Sequence, residues 1–99
     1  MKKGSYTLSS KVFVSPGMGG WRFLGLPLKE GKEIKEKYSK NARGWGSLPV
    51  SITIGKTTWE TSIFPDKKSG SYLLPLKAQV RKKEEIDDED EVQFILKLR

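Results

Sequence analysis

The sequence of 99 residues contains no cysteine and no histidine. Without cysteine there is no disulfide framework, no thiolate nucleophile and no cysteine-ligated zinc or iron–sulfur site. Without histidine there is no imidazole base and no Ser-His-Asp triad. We therefore expect a protein that is not an enzyme and that holds no cofactor and no metal. The absence of cysteine also fits a reducing compartment, so we expect a cytoplasmic location.

Long apolar runs are missing as well. The longest have three residues, such as Val12-Phe13-Val14, and none can span a bilayer. The basic start of the chain is not followed by the apolar stretch of a signal peptide. We expect no membrane association. The length suits a single domain, residues 1–99, and the ten aromatic residues argue against disorder.

Alternation of apolar and polar residues, which is typical of strands, recurs along the chain. Gly55-Lys56 is a predicted two-residue hairpin turn with glycine first, as a type II′ turn requires. The glycine-rich residues 16–20 lack a Walker pattern and are interpreted as a hairpin loop. The predicted strands are residues 6–14, 21–26, 50–54, 57–64, 72–74 and 92–98, and the predicted helices are residues 29–41 and 76–85.

The chain contains an internal repeat. Leu26-Pro27-Leu28-Lys29 recurs 48 residues later as Leu74-Pro75-Leu76-Lys77, and each copy follows two predicted strands and precedes a helix and a strand. We interpret this as a duplication with half-units 5–54 and 57–98. Two such halves can close about a pseudo-two-fold axis into a mainly β, six-stranded barrel with one or two short helices. Because one chain closes the barrel, we expect a monomer.

Two signatures in the chain resemble a known family. They are Gly20-Trp21-Arg22-Phe23-Leu24-Gly25-Leu26-Pro27 and a longer one that begins at Gly44-Trp45-Gly46-Ser47-Leu48-Pro49-Val50, continues through Phe64-Pro65-Asp66-Lys67-Lys68-Ser69-Gly70 and ends at Val80-Arg81. Together they resemble the bacterial domain of unknown function nineteen-zero-five, some copies of which are of the YdeI/OmpD-associated type. The resemblance implies a double-split β-barrel, similar in shape to DNA-binding domains of the AbrB and MazE kind. It implies no activity and no catalytic residues.

One position departs from the AbrB-type pattern, which has Gly-Asp before the last strand. Here Glu89 stands at the glycine position and Asp90 follows it. A positive φ at Glu89 would cost energy, so we expect a different turn. The acidic residues 87–91 could bind a divalent cation through oxygen, but they lack EF-hand spacing, and a charged turn explains them as well.

The basic excess lies in the first half of the chain. Residues 1–43 hold ten Lys and Arg against three Glu, whereas residues 44–99 hold nine of each sign, so the net charge of +7 belongs to the first part. Such a half can follow a phosphate backbone, provided that its cations share one face. A solvated lysine-rich surface explains the same charge. The candidate nucleic-acid-binding residues are Arg22, Lys29, Lys32, Lys35 and Arg43.

Trp45 lies between two glycines in a predicted loop, which core packing explains less easily than it explains the other aromatic residues. With Arg43 and Trp21 it forms our candidate ligand site. We therefore expect a non-catalytic binding or interaction module for an unknown small ligand or protein partner. Nucleic-acid binding through the basic first half is the alternative.

Overall fold

In a computed structural model, the chain forms a closed barrel of six antiparallel strands in the order β1-β2-β5-β4-β3-β6. The structure describes residues 4–15 and 20–99, so most of the predicted loop at 16–20 lies outside the described residues. The mainly β class, the six strands and the two short helices are confirmed. The strands are β1 (Ser5–Ser15), β2 (Trp21–Gly25), β3 (Leu48–Ile54), β4 (Thr57–Asp66), β5 (Ser71–Pro75) and β6 (Glu91–Leu98), and the helices are α1 (Leu28–Tyr38) and α2 (Ala78–Lys83).

The barrel interior is filled by the apolar residues of alternating strands. In β3, Val50, Ile52 and Ile54 are buried, while the residues between them are half-buried. The period of two therefore directs one set of side chains into the core and the other outward. The core also contains Leu8, Val12, Leu24, Leu26, Leu48, Ile63, Tyr72, Leu74, Val92, Phe94 and Leu96.

The strand pairing follows the internal repeat. Exchanging β1 with β4, β2 with β5 and β3 with β6 leaves the strand order of the barrel unchanged. The register agrees with this exchange. Leu24 pairs with Leu74, and the pair related to it by the 48-residue shift, Leu26 and Tyr72, is joined by a 2.9 Å hydrogen bond from the Leu26 N–H to the Tyr72 carbonyl. The two copies of the repeat thus pair with each other symmetrically at β2 and β5.

The two helices close opposite ends of the barrel. Helix α1 follows β2 and lies where β1 begins; the Tyr6 hydroxyl donates a 2.9 Å hydrogen bond to Glu33 Oε2. That bond, together with one from Lys37, lowers the pKa of the Glu33 carboxyl. Helix α2 follows β5 and lies beside the β3–β4 hairpin, where the Thr57 hydroxyl donates to Glu84 Oε2 at 2.5 Å. We call these ends of the barrel the α1 end and the α2 end.

The helices pack against the sheet differently at the two ends. In α1, Gly31 lies directly on Ser71 at the start of β5: a Cβ on Gly31 would overlap the Ser71 hydroxyl oxygen and come within 3.1 Å of the Ser71 Cα. The repeat aligns Gly31 with Gln79 and Ser71 with Phe23. Two small residues permit a close approach that two large residues do not. At the α2 end, a cleft separates the start of β2 from α2.

The predicted turn at Gly55-Lys56 is confirmed, since it joins β3 directly to β4 and Gly55 has a φ of 57°. The predicted helix boundaries were too wide. The helix expected over 29–41 ends at Tyr38 and continues as a short 3-10 turn. Helix α2 begins two residues later than expected because the Leu76 N–H still donates to the Arg22 carbonyl across the sheet. It ends at Lys83, just before Glu85 takes a φ of 53°.

Candidate functional site

A cleft of about 400 Å³ opens at the α2 end, and we call it the α2-end cleft. One wall is the start of β2 and the other is the junction between β5 and α2. The Leu76 N–H joins the two walls through its 2.8 Å hydrogen bond to the Arg22 carbonyl. Strand pairing therefore fixes the floor of the cleft. The lining residues are Gly20, Trp21, Arg22, Leu76, Lys77, Ala78 and Arg81.

The charge of this lining is of one sign. Arg22, Lys77 and Arg81 contribute cations, and no carboxylate is among the described residues that line the cleft. The Arg81 Nε donates a 3.2 Å hydrogen bond to the Leu76 carbonyl, which holds the guanidinium against the cleft wall. A concave surface with cations of one sign attracts anions.

Trp21 supplies an aromatic surface beside these cations. It is 58% exposed, the highest exposure of any large apolar residue in the described part of the chain. Its ring stacks on Phe23 with 6.3 Å between centroids and an interplanar angle of 24°. Phe23 in turn contacts Phe13, with 5.9 Å between centroids. These contacts support the indole from one side while most of it faces solvent.

Arg22 is held by a carboxylate from outside the cleft lining. Its Nε donates to Asp88 Oδ1 at 3.0 Å and its Nη2 to Asp88 Oδ2 at 3.2 Å, a bidentate pair. A further hydrogen bond from Nη1 to the Gly20 carbonyl fixes the guanidinium from the other side. The hydrogen bond from Arg22 lowers the pKa of the Asp88 carboxyl, and the charges of Arg22 and Arg81 act in the same direction.

The turn that carries Asp88 has a positive φ at Glu89, which we did not expect from the sequence. Glu89 has a φ of 69°, although it is not glycine. Hydrogen bonds hold the turn in place, among them one from the Glu89 N–H to the Val12 carbonyl at 3.0 Å and one from the Asp87 N–H to Asp90 Oδ2 at 2.8 Å. Within the described residues, no cluster of carboxylates is arranged to hold a metal ion.

Two residues of the predicted ligand site, Trp21 and Arg43, lie in different clefts. Trp21 lines the α2-end cleft, whereas Arg43 lines a different cleft of about 390 Å³, next to Arg99 at the α1 end. The side chain of Trp45 lies outside the described part of the structure. Trp21 therefore belongs to the site with the aromatic and cationic lining, and Arg43 does not.

The predicted nucleic-acid-binding residues are also divided. Lys29, Lys32 and Lys35 are exposed on α1, which closes one end of the barrel, while Arg22 lies at the other. The structure therefore does not place Arg22 beside Lys29 and Lys32. Sequence reasoning missed Lys77, Arg81 and Asp88. The repeat was the available signal for Lys77, because a pseudo-two-fold barrel pairs β2 with β5 and so brings the segment after Pro75 to Arg22.

Comparison with known proteins gives a family but no activity. A family model described as "Domain of unknown function (DUF1905)" matches residues 9–96. No curated protein matches the chain significantly. Among the described helices, none has the length and apolar character needed to cross a membrane.

Proposed function

Since this chain belongs to the family described as Domain of unknown function (DUF1905), whose name carries no activity, we propose its function from its own surface. The protein is a non-catalytic binding module, and the α2-end cleft is where it holds its ligand. One observation carries this proposal: Trp21, more than half exposed, stands beside a cleft lined by three cations. Exposed aromatic residues next to convergent polar groups are characteristic of binding sites.

The non-catalytic part of the proposal rests on the chemistry of the lining. The side chains that line the α2-end cleft offer an indole, aliphatic groups and three cations, with no carboxylate or hydroxyl among the described residues. General acid–base catalysis needs a group that can take and return a proton near neutral pH. Arginine remains protonated in proteins, so Arg22 and Arg81 serve to bind and orient a ligand. The amine of Lys77 has no carboxylate or hydroxyl beside it in the described lining with which to exchange a proton.

A fragment screen by two-dimensional NMR tests this function. We expect aromatic fragments to shift the resonances of residues 20–22 and 76–81. The variant Trp21→Ala should weaken the best hit by about two- to tenfold, because an aromatic contact contributes roughly 0.5–1.5 kcal/mol. Phe64→Ala is the matched control, since Phe64 is an exposed aromatic residue, at 40%, that does not line the cleft. Fragments that shift only other surfaces, or no fragment at all, would contradict the proposal.

Nucleic-acid binding is the second candidate function, and it is favoured by three exposed lysines on α1. The helix α1 exposes Lys29, Lys32 and Lys35. In the described part of the chain, the salt bridge within this helix joins a different lysine, Lys37, to Glu33. Lysines free to contact phosphates produce binding that weakens steeply with salt.

Fluorescence anisotropy with labelled single-stranded and duplex DNA and RNA, titrated with salt, tests this candidate. Because the two ends of the barrel are separate, we expect the triple change of Lys29, Lys32 and Lys35 to Glu to abolish binding. Arg22→Glu, at the opposite end, should reduce it much less. Absence of binding at low salt would exclude this function, and equal loss in the two variants would contradict the assignment to α1.

A further inference from the structure

The Arg22–Asp88 pair points to the class of ligand that the α2-end cleft takes. A guanidinium presents two parallel N–H groups that match the two oxygens of a carboxylate or phosphate. Asp88 already occupies this fork, with both of its oxygens bonded to Arg22. The hydrogen bond from Arg22 Nη1 to the Gly20 carbonyl keeps the guanidinium in this orientation. The site is therefore formed for an oxyanion, and the protein's own carboxylate fills it.

We propose that the α2-end cleft binds a small planar oxyanion and that Asp88 competes with this ligand for Arg22. The proposal rests on the proposed function and specifies its ligand. The carboxylate or phosphate of the ligand replaces the Asp88 carboxylate at Arg22, and the planar body of the ligand lies in the cleft, where Trp21 is one of the lining residues. Lys77 and Arg81 line the same cleft and add positive charge, which attracts an anion.

The Asp88 carboxylate is placed so that it can leave. Its side chain is 47% exposed, and that of Arg22 is 29% exposed. Ion pairs with this much exposure contribute little to stability, because both partners regain water when they separate. The turn itself is held through the backbone of Glu89 and Asp87, not through Asp88. Displacement of the carboxylate therefore does not require the turn to open.

The test compares three probes that share a naphthalene ring and differ in the group attached to it. Naphthoate and naphthyl phosphate carry the two oxyanions, and naphthylmethanol is the neutral reference. Binding is followed by NMR titration of the whole chain at about 0.15 M salt, where long-range attraction is screened. We expect the two anions to bind at the cleft at least about tenfold more tightly than the alcohol, since charge-assisted bidentate bonds are strong. The tighter of the two anions identifies the oxyanion.

Asp88→Asn is the decisive variant and Asp87→Asn its matched control. Both remove one negative charge from the same turn, but only Asp88 contacts Arg22 in the structure. We expect Asp88→Asn to tighten naphthoate binding by about two- to fivefold, the range of an exposed ion pair. Asp87→Asn should change it by much less, and Arg22→Gln should remove the preference for the anion over the alcohol.

The outcomes separate this inference from the function on which it rests. If naphthylmethanol binds at the cleft as tightly as naphthoate, the cleft is a binding site but not one for oxyanions, and the inference is wrong. Equal effects of Asp88→Asn and Asp87→Asn would show that charge alone acts, and competition by Asp88 would be rejected. No binding of any probe at the cleft contradicts both the inference and the proposed function.

Discussion

Replacing Leu74 with alanine should lower the free energy of unfolding by about 2–5 kcal/mol, the cost of deleting a large aliphatic side chain from a packed core. Leu74 is fully buried in β5, opposite Leu24 of β2. The pair of β2 and β5 is one of four strand pairs between the two half-units, so a cavity there weakens their contact. Equilibrium unfolding in urea measures the change, with the midpoint compared at an unchanged slope.

Leu73→Ala is the matched control for this prediction. Leu73 precedes Leu74 in the same strand, but it faces outward, opposite Phe64, and is only half-buried. We expect its loss to cost less than half as much as the loss of Leu74. Leu26→Ala should resemble Leu74→Ala, because Leu26 is buried at the position that the repeat aligns with Leu74. Equal costs for Leu73 and Leu74 would contradict the inward and outward alternation of β5.

The elements that the sequence predicted correctly are those that local pattern determines. Alternation in Val50-Ser51-Ile52-Thr53-Ile54 is a property of consecutive residues, and the barrel buries the predicted set. The glycine of the Gly55-Lys56 turn is likewise a local requirement. The Leu-Pro-Leu-Lys repeat carried information over a longer range. If two similar halves close one barrel, only a few strand orders are possible. Pairing of β2 with β5 occurs among these orders and is found in the structure.

The candidate site was less predictable because it depends on contacts between distant residues. Asp88 reaches Arg22 across 66 positions of the chain, and no short-range pattern indicates that pair. The charge count places the basic excess in residues 1–43. In the folded barrel, however, Arg22 lies at one end and the lysines of α1 lie at the other, so they do not form one basic face. The α2-end cleft draws its cations from both half-units, Arg22 from the first and Lys77 and Arg81 from the second.

Glu89 shows a different limit. A positive φ costs energy for a residue with a side chain, so we expected Glu89 to avoid it. The residue nevertheless has a φ of 69°. Hydrogen bonds to β1 explain the outcome, since Val12 accepts from the Glu89 N–H and donates to the Asp90 carbonyl, both at 3.0 Å. Tertiary contacts thus offset a local penalty of about 1–2 kcal/mol. The same turn carries Asp88 to Arg22, so the residue with the positive φ lies close to the candidate site.

Gly31→Ala should destabilise the protein by about 1–3 kcal/mol, although alanine is the better helix former. A Cβ at this position would overlap the Ser71 hydroxyl oxygen and lie 2.8 Å from the Ser71 Cβ, so α1 or β5 must move. That movement also strains the 2.9 Å hydrogen bond that the Ser71 hydroxyl donates to the Leu26 carbonyl. Thermal and urea unfolding measure the loss.

A double-mutant cycle with Ser71→Gly separates this contact from helix propensity. Ser71→Gly alone removes the hydrogen bond to Leu26 and should cost about 1 kcal/mol. In that background the Ser71 Oγ and Cβ are gone and only the 3.1 Å approach to the Cα of residue 71 remains, so Gly31→Ala should cost much less than in the parent chain, or become neutral. The same cost in both backgrounds would show that the contact between Gly31 and Ser71 does not limit the packing of α1. Because this contact lies at the α1 end, the folded Gly31→Ala protein should bind naphthoate at the α2-end cleft as the parent chain does.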